Sequence, residues 1–240
     1  MNKNRRYALI STYDKKNIKK ICEIFEKYNI GIISTGSTSK KIINLGYRCE
    51  LISNLTKFKE ILDGRVKTLH PKIHASLLFN RQKKEHKKEF TKFNFPIIDF
   101  VIVNLYPFDL VIKESSNLNK CLQMIDIGGP TLLRSSSKNF QFLTTISKVE
   151  DYELLIDNLN KNNGITSLEF RKKMAAKAFA TTFKYDQLIN KWFTKQIYKN
   201  DNKKIIKLKY GENQNQKSYY EIPNLKKSLF TNKIQGKTLG

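Results

Sequence analysis

Cysteine is nearly absent from this chain: Cys22, Cys49 and Cys121 are odd in number and far apart. That spacing excludes both a disulfide framework and a CxxC metal knuckle. Long apolar runs are missing as well. No stretch approaches the roughly 18 to 20 uncharged apolar residues that a membrane helix needs. The apolar Tyr7–Ile10 that follows the basic start Met1–Arg6 is too short for a signal peptide. Arginine is the third shortage. Lys and Arg total 45 and the net charge is +24, yet only seven of the 45 are Arg. Nucleic-acid recognition favours the planar Arg fork, so the charge argues weakly for a nucleic-acid module. Lys is scattered beside abundant Asn and Ile and little Ala, the composition that AT-rich codons produce. Its physical by-product is a field that attracts anions in general. A cytoplasmic chain is expected, with neither a membrane nor a specific nucleic acid as partner.

What is present suffices for a core. With 40% hydrophobic and 28% charged residues, 240 residues form one large domain or one domain with an extension. Strand and helix patterns alternate up to about residue 147. Strands are expected at Arg6–Ser11, Gly31–Ser34, Cys49–Ile52, Ala75–Phe79, Phe100–Asn104 and Phe142–Ile146. Helical spacing (Ile18, Ile21, Cys22, Phe25) follows the first strand, with Asp14 as the candidate N-cap; further helices are expected at Gln82–Phe93, Leu118–Met124 and Thr131–Lys138. This order predicts an α/β fold, a doubly wound, mostly parallel sheet with helices on both faces. Residues 148–194 read as a helical extension, in which Thr166-Ser167-Leu168-Glu169 is a capping box. Residues 195–209 read as a Lys- and Asn-rich linker, and 210–240 are too few for an independent domain.

In such sheets ligands gather beyond the carboxyl ends of the strands, and several loops there carry chemistry. Ser34-Thr35-Gly36-Ser37-Thr38 joins a strand to a helix with hydroxyls, a permissive glycine and free N–H groups, the needs of a phosphate dianion. Ser11-Thr12-Tyr13-Asp14-Lys15 offers a similar loop with a cation. Each also reads as an ordinary polar turn; together they favour a phosphorylated ligand. Asp63–Pro71 packs Arg65, Lys67, Thr68 and His70 into nine residues, with Arg65 and Lys67 alternating. His70 and His74 lack the Glu of a zincin, and Pro71 between them argues against one continuous helix, so a structural or substrate-positioning His is expected and no metal. Asn104 and Tyr106 close an apolar strand, Asp126-Ile127-Gly128-Gly129 precedes a helix, and Arg134–Asn139 continues it.

The succession DKK, STGST, DGRVKTLHPKIH, VNLYPF, IDIGGPTLLRSSSKN, AAKAFA and KYGEN resembles the bifunctional purine biosynthesis proteins that complete IMP synthesis. STGST alone points only to the wider methylglyoxal-synthase-like group. The resemblance runs from about Tyr7 to the last residue, with Lys209–Gln216 and Gln235–Leu239 similar to the opening of the family's formyltransferase domain. It implies a methylglyoxal-synthase-like cyclohydrolase core over 1–147 and a homodimer. It also implies the substrate 5-formamidoimidazole-4-carboxamide ribotide, closed to IMP with loss of water and without a cofactor. 10-Formyltetrahydrofolate would enter as co-substrate only with the formyltransferase domain, whose chemistry depends on residues beyond Gly240. By resemblance Ser11, Lys15 and Ser34, Thr35, Gly36, Ser37, Thr38 hold the phosphate. Arg65, Thr68, Asn104 and the Ile127, Gly128, Gly129 backbone hold the rest, and Lys67, Tyr106, Asp126 and Lys138 form the catalytic group. Asp126 and Lys138 are expected to handle protons, Lys67 and Tyr106 to stabilise charge on the formyl oxygen. Departures from the family pattern are Tyr13 for a serine, Ser37 for a glycine, Ala75-Ser76 for two glycines, and KYGENQNQ for RYGxNPHQ. The alternatives are a methylglyoxal-synthase-like enzyme, which would not need DGRVKTLHP, and a phosphate-sensing domain, which would not need the four catalytic side chains.

Overall fold

In the computed structural model, which describes residues 5–62, 64–197, 204–207 and 219–222, the chain divides into two units, Met1–Leu188 and Ile189–Gly240. The first is built on five parallel strands: β1 (Arg6–Thr12), β2 (Gly31–Ser34), β3 (Glu50–Leu51), β4 (Ile97–Asn104) and β5 (Thr144–Ile146), in the order β3-β2-β1-β4-β5. The central strands β1 and β4 are near-continuous β-branched and apolar runs, as burial on both faces demands. Alternation sorts their side chains by face. Ala8 and Ile10 join Phe25, Ile42, Phe100, Ile102 and Tyr152 in one core, against α1 (Ile18–Lys27), α2 (Gly36–Asn44) and α9 (Tyr152–Lys161). Tyr7 and Leu9 join Ile73, Leu77, Val101, Val103, Leu132 and Ala178 in the other. That core engages α3 (Ile52–Thr56), α4 (Pro71–Leu78), α8 (Gly128–Lys138) and α10 (Leu168–Ile197). Each fully buried Leu, Ile, Val or Phe contributes about 1.5–3 kcal/mol. The remaining helices, α5 (Lys84–Lys92), α6 (Phe108–Glu114) and α7 (Leu118–Gln123), are short, and α5 buries no residue.

The doubly wound parallel sheet with helices on both faces expected from the sequence is observed, but several local expectations are corrected. Ala75–Phe79 is not a strand; all but its last residue belong to α4, where Ile73, Ser76 and Leu77 are buried at helical spacing. Pro71 does not oppose this helix, because at its first position the missing N–H would be unpaired anyway. Asp14 does not cap α1: its carboxylate accepts from Lys16 N (2.9 Å), while Asn17, at φ 58°, precedes the helix. The cap of α10 is Ser167, whose Oγ accepts from Phe170 N (3.2 Å), not Thr166, whose hydroxyl pairs with Thr144 (2.7 Å). The segment after Pro107 forms α6, a helix not among those expected.

In the second unit β6 (Lys204–Lys207) pairs antiparallel with β7 (Tyr219–Ile222), and Trp192 meets Phe193 edge to face. Because α10 runs to Ile197 and β6 occupies 204–207, residues 195–209 are not linker throughout. Gln235–Leu239, and Lys209–Gln216 with its KYGEN motif, lie outside the described residues. Among the described residues, no helix is long and apolar enough to cross a membrane.

Candidate functional site

The strand order reverses direction at β1, so the chain leaves β1 and β4 toward opposite sides. A crevice must open there, beyond the carboxyl ends of the strands. The first unit has a cleft of about 2040 Å³ at this point. Its walls are the loops after β1 and β4, the N-termini of α2 and α8, the Gly64–Thr68 loop and one face of α10.

The β1 loop is held by Asn104 at the end of β4. Asn104 Oδ1 accepts from Tyr13 N (2.6 Å) and Asp14 N (2.9 Å), and its Nδ2 donates to Asp14 O (2.8 Å). Asn104 lines the cleft, yet its amide is spent on the loop that presents Ser11 and Lys15. The α2 turn is tied to the same loop: Thr38 Oγ1 donates to Thr12 O (2.9 Å) and accepts from Thr12 N (3.2 Å). Ser34 Oγ donates to Ile10 O (2.6 Å), and Ser34 does not line the cleft. Of the five residues expected to cradle phosphate, Ser34 and Thr38 therefore build the cradle. Thr35, Gly36 and Ser37 face it. Thr35 makes no side-chain cap bond and Gly36 stands at φ +47°, so the first N–H groups of α2 remain for a ligand.

Arg65, Lys67 and Thr68 reach the cleft from a hairpin closed by the Ile61–Val66 bridge. Lys67 is ion-paired to Glu60 (3.2 Å). His70 caps α4, its Nδ1 accepting from Lys72 N (3.1 Å), and His74 Nδ1 meets Ser135 Oγ (3.0 Å); neither lines the cleft. Burial lowers the His74 pKa.

Asp126 stands before α8 and its Oδ1 accepts from Gly129 N (2.8 Å). A Cβ on Gly129 would lie 2.7 Å from Leu105 and strike the Asp126 carboxylate, so the carboxylate lies this close to the backbone only because glycine is there. Burial raises the Asp126 pKa, opposed by the N–H groups of Gly129 and Gly128. Ile127, Gly128 and Gly129 line the cleft beside it, and Tyr106 meets Tyr13 edge to face at 5.3 Å.

Sequence reasoning missed the wall given by α10. Tyr185 accepts from Asp126 N (2.8 Å) and donates to Met124 O (3.3 Å); burial pushes its pKa up to about 12, keeping the donor protonated. Thr181, Lys184 and Leu188 line the cleft with it. The signal was the spacing of 181, 184, 185 and 188, one helical face of mixed polarity. Lys138 is the expected catalytic residue that stands apart. It is exposed on the last turn of α8 and does not line the cleft. A helix of 11 residues spans about 16 Å, so within one chain Lys138 and Asp126 do not form a proton-handling pair.

A parallel α/β sheet with a hydroxyl-rich turn and a carboxylate-headed helix on one cleft defines the class, and the comparisons agree with it. Residues 17–131 match the family model described as the MGS-like domain, and 136–240 match that of the AICARFT/IMPCHase bienzyme. The chain is 36% identical to the bifunctional purine biosynthesis protein PurH of Bradyrhizobium diazoefficiens over 97% of its own length and 46% of that protein's. It is 41% identical to the PurH of Fusobacterium nucleatum, covering 92% and 44%. The crystal structure of ForH superposes with a TM-score of 0.69 at 26% identity, covering 79% of this chain and 97% of that one. The chain is similar to the N-terminal part of the bifunctional purine biosynthesis proteins. It spans about half the length of the curated relatives it matches.

Proposed function

We propose that the cleft is an IMP cyclohydrolase site, closing 5-formamidoimidazole-4-carboxamide ribotide to IMP. The observation that carries this reading is the convergence of two phosphate-type loops with Lys67, Tyr106 and Asp126 on one cleft. Ser11, Lys15 and the Thr35–Ser37 turn take the phosphate, with Arg65, Thr68 and the Ile127–Gly129 backbone along the remainder. The carboxamide nitrogen then bonds to the formyl carbon, and its proton moves to the former formyl oxygen. In the second half the formamide N–H proton moves to that hydroxyl, which leaves as water as the ring double bond forms. Asp126, which lines the cleft and whose raised pKa brings it nearer to a working proton carrier, is the group given the role of base and then acid in these transfers. Lys67 and Tyr106 supply a cation and a hydroxyl for charge developing on the formyl oxygen. The reaction so written consumes no cofactor, and a homodimer is the assembly expected of the family.

The test is incubation of the chain with the formylated ribotide while IMP formation is followed, with and without a chelator. Turnover indifferent to the chelator is expected. Ribotide binding without IMP would leave a phosphate-sensing domain instead.

A further inference from the structure

The hairpin before α4 puts a carboxylate directly behind one of the cleft's cations. Ile61 and Val66 exchange backbone hydrogen bonds of 3.4 Å each, so the next residues outward, Glu60 and Lys67, stand opposite one another. Glu60 Oε2 lies 3.2 Å from Lys67 Nζ; Lys67 lines the cleft and Glu60 does not. Two glycines shape the space around the ammonium. A Cβ on Gly64, at φ +82°, would lie 2.8 Å from Lys67 Nζ, and one on Gly36 would lie 3.4 Å from it. The lysine head is therefore seated between the hairpin turn and the phosphate-type turn, with the Glu60 carboxylate beside it, 3.5 Å from the Cβ position of Gly64 and 4.0 Å from that of Gly36. A lysine stem has four rotatable carbons and a strongly hydrated head, and it holds no single direction without a partner.

We propose that Glu60 is a positioning residue: its carboxylate fixes the Lys67 ammonium beside the Gly36 turn, in the pose the ring closure requires. The proposal rests on the cyclohydrolase reading for its kinetic consequences, but not for the pose itself. Glu60 touches no substrate; it acts through Lys67. Misplacing a reacting group by about 1 Å can cost up to 10²-fold, and this pair is about one-third exposed, so a smaller loss of roughly tenfold is expected.

The experiment compares the wild type with Glu60→Gln, Glu60→Asp, Lys67→Ala and the Glu60→Gln/Lys67→Ala double variant. Glu60→Gln should lower kcat roughly tenfold with KM moving less than about threefold, and Glu60→Asp should recover part of the loss. In the Lys67→Ala background Glu60→Gln should add less than about a factor of two. Equal losses in both backgrounds, or none in either, would overturn the proposal. A second readout needs no turnover: labelling with trinitrobenzenesulfonate, resolved by peptide mapping. Lys67 should react several-fold faster in Glu60→Gln than in the wild type, while exposed Lys40 keeps its rate as internal reference. If no chain forms IMP, the cyclohydrolase reading fails by itself, and an unchanged Lys67 labelling rate would then sink the role given to Glu60.

Discussion

Two basic hollows open at opposite ends of the same sheet, and they use their charge differently. At the carboxyl ends lies the large cleft, whose cations include Lys15, Lys67, Lys148, Lys184 and Arg65. At the amino ends a hollow of about 210 Å³ is lined by Arg6, Arg81 and Arg171 around Asp99. Their guanidinium hydrogens go mainly to fixed oxygens. Arg6 donates to Gly164 O (2.9 Å), Arg81 to Ile98 O (3.0 Å) and Asp99 (2.7 Å), and Arg171 to the carbonyls of Phe140, Gln141 and Thr166. Three of the chain's seven arginines are thus committed to stitching, where a planar fork must reach several acceptors at once. The cleft instead keeps short-range donors open: the first N–H groups of α2 and the Thr35 and Ser37 side chains. Charge alone does not mark a binding site. What marks it is polar groups left without partners by their own fold.

The largest test of that contrast is Asp99→Ala. Asp99 is 8% exposed and holds two guanidiniums, Arg6 at 3.5 Å and Arg81 at 2.7 Å. Its removal leaves three cations facing one another, and stability should fall by about 3 kcal/mol, read from the urea midpoint. Turnover per folded molecule should stay within about twofold. Lost turnover with unchanged stability would reverse the roles given to the two hollows.

Asp126→Ala should do the opposite. A drop in kcat of roughly 10²-fold is expected for a lost proton-transfer group, against about 1 kcal/mol of stability for the lost cap on Gly129 N. Lys138→Ala, at the far end of α8, should cost at least about tenfold less in kcat than Asp126→Ala. Equal losses would mean that a second copy of the chain brings its Lys138 to this cleft.

How much of this was legible beforehand varied with the kind of signal. Strands β1, β2 and β4 were readable because burial on both faces writes long β-branched runs, as in Ile97–Asn104. Ala75–Phe79 misled because a short apolar run has no period of its own, and the Ile73/Ser76/Leu77 spacing decides only once Pro71 is taken as a helix start. The loops that meet at the cleft were legible as motifs, yet their division of labour was not. Nothing in the letters separates Ser34, bonded inward to Ile10 O, from Ser37, which faces out. Asn104 likewise reads as a ligand contact until its three bonds to the β1 loop are seen. Tyr185 was out of reach because the link from α10 to Asp126 spans 59 positions of sequence.

The smallest expected effect sharpens the comparison, because it isolates one carboxylate by its proton. Burial raises the Asp126 pKa more than the N–H groups of Gly129 and Gly128 lower it. The folded chain therefore binds this proton more tightly than the unfolded chain. Stability from such a group is fully present below the ordinary carboxylate value near 3.8 and is lost as pH rises through the raised value. Asp126→Asn keeps an oxygen for Gly129 N but cannot ionise. Its thermal midpoint should exceed that of the wild type at neutral pH, and the gap should close as pH falls below the ordinary carboxylate value. Subtracting the two midpoints at each pH cancels every other titrating group, so the pH dependence of the difference belongs to Asp126. A gap that stayed constant with pH would mean that the fold does not strain this carboxylate. The proton-carrying role of Asp126 would then lose its physical basis, even if turnover still depended on the residue.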